Sequence, residues 1–192
     1  MRVNEIFYSI QGEGYHTGTP ATFIRLSGCN LKCPFCDTDF KDYTQMTEKE
    51  IVTEVSKNSA ALVVVTGGEP SLQLTFSLVD KLHKANKFVA VETNGTHVLP
   101  PNVDWITISP KQLFVGDKGK LRYNQADEVK VVFDGIHEIC DYGINAHHYY
   151  VQPCDTGDST LNNDIKKKCI EFIKRNPKWK ISLQTQKILN VQ

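Results

Sequence analysis

Three cysteines, Cys29, Cys33 and Cys36, lie in the short stretch GCNLKCPFCDTDF, residues 28–40. Their C-x3-C-x2-C spacing lets one loop curl three thiolates around one centre. Thiolates suit zinc and iron–sulfur clusters. A closed structural zinc site needs four protein ligands, and no histidine follows in finger spacing. With three ligands, a [4Fe–4S] cluster keeps one iron free of protein and open to a chelating molecule. The alternative is a zinc knob completed by a distant residue.

A second segment, TGGEP at 66–70, offers a turn that exposes backbone N–H and C=O groups, with Glu69 able to meet an ammonium group. On its own it is an ordinary turn. Paired with the cysteines one strand earlier, it is specific. Gln11, Glu13 and Arg25 are further polar groups that could converge below the cysteines. Arg25 sits between Ile24 and Leu26 on an apolar strand, and a buried arginine requires an anionic partner. A carboxylate-bearing substrate would provide one.

These residues need elements to position them. The runs 21–26, 61–66, 88–93, 105–109, 128–133, 149–152 and 181–184 read as strands, with 3–10 as an edge strand or half of a hairpin. Helical patterns lie between. Thr47 and Glu50 form a capping box ahead of Ile51, Val52 and Val55. Leu72, Phe76 and Val79 share helical spacing, as do Leu161, Ile165, Cys169 and Phe172. A short helix is expected on Ile136, Ile139 and Cys140, stopped by Gly143. The alternation argues for an α/β fold, a partial (βα) barrel of parallel strands rather than a closed one. The cysteine loop, TGGEP, ETNG (92–95), SPK (109–111), QPCD (152–155) and QTQK (184–187) all fall at C-terminal strand ends, where such barrels place their sites.

The chain has 192 residues, 40% hydrophobic and 23% charged, with 22 basic and 22 acidic side chains. It suits one domain over 1–192. The charge balance argues against a general nucleic-acid or membrane-surface binder. With no transmembrane-length run and no signal-peptide core, a cytoplasmic protein is expected.

Cysteine spacing and TGGEP together resemble the radical S-adenosylmethionine (SAM) superfamily. The resemblance implies a [4Fe–4S] cluster on Cys29, Cys33 and Cys36. It also implies SAM bound through its methionine part at Gly67, Gly68, Glu69 and Pro70, with Glu92, Ser109 and Gln152 as further contacts. In that superfamily the reduced cluster splits SAM to give a radical that abstracts hydrogen. The wider set IFYSIQGEG, FIRLSGCN, CPFCDTDF, TGGEP, ETNG, SPK and LQTQK, nearly the whole chain in order, is similar to the 7-carboxy-7-deazaguanine synthases. That likeness implies conversion of 6-carboxy-5,6,7,8-tetrahydropterin to 7-carboxy-7-deazaguanine with loss of ammonia, toward queuosine-type deazapurines. It implies Mg2+ at Thr38 and substrate contacts at Gln11, Glu13, Arg25 and Gln186. It further implies a homodimer and an electron donor such as flavodoxin or ferredoxin. Many relatives carry histidine where this chain has Gln186, which cannot titrate near neutral pH. The competing readings are a radical-SAM activase of a glycyl radical enzyme, against which QGEG and Thr38 argue, and a non-catalytic zinc module.

Other residues read as structural. Cys140 and Cys169 read as core, and Cys154 as packing near the site. His147 and His148 point to opposite strand faces, and 166–175 is a solvated helix face. Trp105 and Trp179 carry no assigned role.

Overall fold

The structure is a computed structural model that describes residues 1–36 and 42–191. Its strands are β1 (Arg2–Ile10), β2 (Pro20–Leu26), β3 (Thr44–Gln45), β4 (Leu62–Gly67), β5 (Phe88–Thr93), β6 (Trp105–Ile108), β7 (Gln125–Phe133), β8 (Asn145–Pro153) and β9 (Trp179–Ile181). The helices are α1 (Glu48–Val55), α2 (Phe76–Lys84), α3 (Gln112–Val115), α4 (Ser159–Arg175) and α5 (Thr185–Leu189). One sheet orders the strands β3-β1-β2-β4-β5-β6-β7-β8-β9. From β2 onward in that order every pairing is parallel. β1 forms the hairpin expected of 3–10, antiparallel to β2, and the two-residue β3 pairs antiparallel with its other side, so β1 is not an edge. β3 and β9 are the sheet's two edges, so the barrel is partial.

Period-two alternation sorts the strands into two faces. Ile24, Leu26, Val63, Val65, Val89 and Val91 pack with Ile51 and Val55 of α1 and Leu78, Val79 and Leu82 of α2. Farther along the sheet, Ile108, Val129, Val131 and Val151 pack with Ile165 and Cys169 of α4 and with Trp179. Each fully buried aliphatic side chain contributes ~1.5–3 kcal/mol. On the inner face, Ala21, Phe23, Leu62, Val64 and Ala90 form a third cluster with Phe7 and Trp105.

The Thr47–Glu50 capping box starts α1 as expected. Three other local expectations are corrected. No helix forms on Ile136, Ile139 and Cys140. There the Asp134 carboxylate accepts from the Ile136 and His137 N–H groups and closes a turn, leaving Ile136 87% exposed. Leu72 lies in a 3-10 turn, Pro70–Leu72, and it, Phe76 and Leu161 face solvent. The last strand spans Trp179–Ile181 rather than 181–184, so Gln184 lies beyond it. Trp179, without a role in the sequence, is a buried part of the α4 side. Among the described residues no helix is long and apolar enough to cross a membrane.

Candidate active site

At the C-terminal ends of the parallel strands lies a cavity of about 530 Å3. Cys29, Cys33 and Cys36 line it, as do Arg25, Gly67, Gly68, Glu92, Ser109 and Gln152. Glu13 and Gln186 complete the convergence from the two ends of the chain. Gln11 is buried beside it and faces an adjoining cavity of about 100 Å3, shared with Glu13, Arg25, Glu92 and Gln186. Thr38 lies outside the described residues.

The cysteine loop leaves β2 and is held from its neighbours. Asn30 donates to Thr96 Oγ1 at 2.9 Å and accepts from Asn94 Nδ2 at 3.1 Å. The glycines after β4 are required by close approach. Gly67 has φ +120°, and a Cβ on Gly68 would meet the Gly28 carbonyl oxygen at 2.0 Å. This contact lets Gly68 N donate to Leu26 O and Glu69 N to Gly28 O, each at 2.9 Å, laying the turn against the cysteine loop. Glu69 itself is fully buried and does not line the cavity. Its carboxylate accepts from Ser71 N, Thr93 Oγ1 and Asn94 N, tying the turn after β4 to the one after β5. Pro70 is likewise buried, at the first position of the 3-10 turn. Among the described residues no three His, Cys, Asp or Glu side chains already form a metal-holding group. The donor set still fits an iron–sulfur cluster, because three cysteine thiols outside any disulfide line one cavity from one loop. Burial raises the Cys29 and Cys33 thiols, so taking up a cluster there must release their protons.

Arg25 is not a lone buried cation. It is half-buried, and its Nε donates to Glu5 Oε1 at 2.7 Å across the β1–β2 pair. The anion expected from a substrate is therefore already met within the chain. Glu5 carried no signal in the sequence beyond being a charge on a strand.

QGEG is more than a hydrophilic turn. Residues 11–19 cross from β1 toward β7 and the C-terminal segment. Gly12 O accepts from Thr185 N at 3.1 Å, and Gly14 N donates to Ser182 Oγ at 3.0 Å. A Cβ on Gly12 would fall 1.8 Å from Gln186 Oε1. Glu13 Oε1 accepts from Gln184 Nε2 at 3.1 Å and Gln186 Nε2 at 3.3 Å. Glu92 Oε1 accepts from Gln11 Nε2 at 3.0 Å. Gln186 Oε1 is buried with no partner of its own among the described residues.

Sequence reasoning missed Lys130. It lies on β7 with a side chain 4% exposed, and its Nζ bridges Glu13 Oε2 and Glu92 Oε2. The available signal was a pair of charges, Glu128 and Lys130, two apart in an apolar strand whose other face is Val129 and Val131. Burial would raise the Glu13 carboxyl, but the Lys130 ammonium together with the hydrogen bonds from Gln184 and Gln186 outweighs it and holds it at about 2. Burial would lower Lys130, yet Glu13, Glu92 and Glu128 together raise it. Glu128, pushed up by burial against Lys130's pull, stands at about 7. Lys111 also went unassigned. It donates to the Ser109 carbonyl and hydroxyl, and burial lowers it to about 8. Cys154 is buried at the cavity wall, and Gln152 Oε1 accepts from Ser182 Oγ at 2.9 Å.

Parallel strands ending in a three-cysteine loop and a GGEP turn define a radical SAM enzyme, and residues 23–156 match the Radical SAM superfamily. Its members use an iron–sulfur cluster and SAM, and this chain does so with them. The chain is 50% identical to the 7-carboxy-7-deazaguanine synthase of Bacteroides thetaiotaomicron over 192 residues, covering all of this chain and 98% of that one. It is 36% identical to the enzyme of the same name from Neisseria meningitidis, covering all of this chain and 94% of that one. The crystal structure of QueE from Escherichia coli superposes with a TM-score of 0.73 at 28% identity, covering 96% of this chain and 93% of that one. The chain belongs to the 7-carboxy-7-deazaguanine synthase family.

Proposed function

We propose that the protein converts 6-carboxy-5,6,7,8-tetrahydropterin to 7-carboxy-7-deazaguanine with release of ammonia, in queuosine-type 7-deazapurine biosynthesis. The observation that carries this reading is Glu13: a carboxylate held ionised in the same cavity as the three cysteines, on the loop that meets the chain's other end. An ionised carboxylate accepts from the paired N–H donors of an aminopyrimidinone ring, and Gln11 and Gln186 beside it can donate or accept. Arg25 can turn toward a substrate carboxylate while Glu5 keeps it in place.

Cys29, Cys33 and Cys36 would hold the cluster, and the backbone at Gly67 and Gly68 would receive the methionine part of SAM. The bound cofactors supply hydrogen-atom abstraction. The protein's share is orientation and a walled cavity. Glu69 and Pro70 would act from behind the wall by fixing the glycine turn, while Glu92, Ser109 and Gln152 present polar atoms along it. Mg2+, which prefers oxygen ligands, would be held by the Thr38 hydroxyl with substrate oxygens. A flavodoxin or ferredoxin would deliver the electron, and the working form would be a cytoplasmic homodimer. Similarity along the whole chain favours this over a glycyl-radical activase or a zinc module.

The test is anaerobic reconstitution with iron and sulfide, followed by incubation with SAM, reductant, Mg2+ and the carboxytetrahydropterin. Mass spectrometry should find the deazaguanine product with ammonia in equal amount. An intact, reducible cluster that forms no product would reject the substrate. Thr38→Ala should keep the cluster and lose the Mg2+ dependence.

A further inference from the structure

Lys130 joins three parts of the chain through one atom. Its Nζ donates to Glu13 from the loop after β1 and, at 3.2 Å, to Glu92 from β5. The remaining oxygens of the two carboxylates take the amides of Gln184 and Gln186 on Glu13 and of Gln11 on Glu92. Each acceptor atom is thus committed, and the buried ammonium lies between the two carboxylates and offsets one of their two charges. We propose that Lys130 is a positioning residue: it holds Glu13 and Glu92 as two fixed acceptors and, through Glu13, keeps segment 184–189 seated against the QGEG loop.

Two carboxylates buried side by side without a cation cannot both stay ionised at low cost. Lys130 helps to keep Glu13 ionised, and the hydrogen bonds from Gln184 and Gln186 to it are then charge-assisted, roughly twice as strong as neutral ones. The other charges facing Glu13 do not replace it. Glu92 and Glu128 are negative or neutral. Lys111 after β6 is committed to Ser109, and Arg25 of β2 to Glu5. The structural part of this inference needs no substrate. Its consequence for turnover rests on the proposed function: ring N–H donors of the pterin would exchange with the two glutamine amides at Glu13 Oε1.

Hydrogen exchange on the apo protein between pH 5.5 and 8.5, expressed as protection factors for 11–19 and 180–191, tests it. The comparison is made in a Glu128→Gln background, which removes the carboxyl that stands at about 7 and accepts from Tyr15 N; there the protein with Lys130 intact should be flat, because Lys130 and the two glutamine amides keep the Glu13 carboxyl far below this range. In Lys130→Met one carboxylate of the pair takes up a proton. As pH rises through its elevated pKa that proton is lost, the bare carboxylates repel, and protection of both segments should fall ~10-fold. Lys130→Arg, which keeps the charge, should stay flat. With substrate, Lys130→Met should raise KM for the pterin ~10-fold while SAM affinity stays within ~3-fold. A Lys130→Met protein in that background with flat, undiminished protection overturns the inference. Should that variant not fold, Glu13→Gln takes its place: protection of 180–191 must drop at every pH, and unchanged protection overturns the inference equally. If Lys130→Met shows the pH-dependent loss but wild type does not turn over the pterin, the substrate reading falls and the role of Lys130 stands.

Discussion

Glu13 and Tyr15 leave one loop two residues apart and enter opposite surroundings. Glu13 meets Lys130, Gln184 and Gln186 on the cavity wall. Tyr15 stacks on Trp105 with ring centroids 4.8 Å apart and lies against His148 at 4.4 Å. His16 meets the edge of Trp105 and of Phe88. Trp105 and Phe88 begin their strands, so this aromatic group, with Tyr15 and Phe88 partly exposed, covers the barrel at the end opposite the cysteines. The inner face thus grades from aromatic and apolar at strand starts to charged and amide-rich at strand ends. Burial of apolar area at the first end stabilises the fold whatever the chemistry. At the second end, buried charges cost stability and are held only because each has a partner.

The comparison predicts that substitutions at the two ends separate activity from stability. Cys33→Ala should show the largest effect, at the cavity end. Cluster iron and turnover should be lost, by more than ~1000-fold in rate, with the apo fold unchanged by circular dichroism. Trp105→Ala, at the closed end, should lower stability by ~2–4 kcal/mol in denaturant titration yet leave kcat per folded, cluster-loaded molecule within ~3-fold. A large kcat loss there would break the distinction. Gly12→Ala puts a methyl into the Gln186 side chain, so the C-terminal segment should loosen and kcat/KM fall ~10-fold, with protease sensitivity of 184–191 as the structural readout. Glu128→Gln should be the smallest effect and is pH-dependent. The raised Glu128 carboxyl favours the fold while protonated and costs stability as pH climbs through about 7. The variant should therefore match wild type near pH 5 and be more stable by ~1–2 kcal/mol at pH 8.5. A gain that does not depend on pH would mean Glu128 is not protonated in the fold.

Much of the cavity end was legible because its residues are local in the chain. The three cysteines share eight residues, TGGEP is one turn, and both sit at strand ends that alternation reveals. The helix expected on 136–140 shows the limit. Ile136 and Ile139 suit a helix, but Asp134 accepts the N–H groups of residues 136 and 137 and settles a turn instead. Leu72 failed for a similar reason, since Pro70 and the Glu69 cap confine it to a 3-10 turn before α2 begins. Glu69 looked like a ligand because an exposed turn was expected, whereas three donors from the chain surround it.

The sequence by itself determined the class of chemistry, the strand ends where it occurs and the two-faced strands that build the barrel. The strands and their ends rest on spacing within a few residues, which periodicity translates directly, and the class of chemistry on the likeness of the cysteine and TGGEP motifs to a known superfamily. Only the tertiary structure decided which charges meet. Lys130 finds Glu13 across 117 residues of chain, Glu5 takes the guanidinium expected to await a substrate, and Gly12 proves to be the seat of the C-terminal segment. Partners brought together by sheet order leave no local pattern in the chain. Their pairing is enforced by the cost of burying any one of those charges alone.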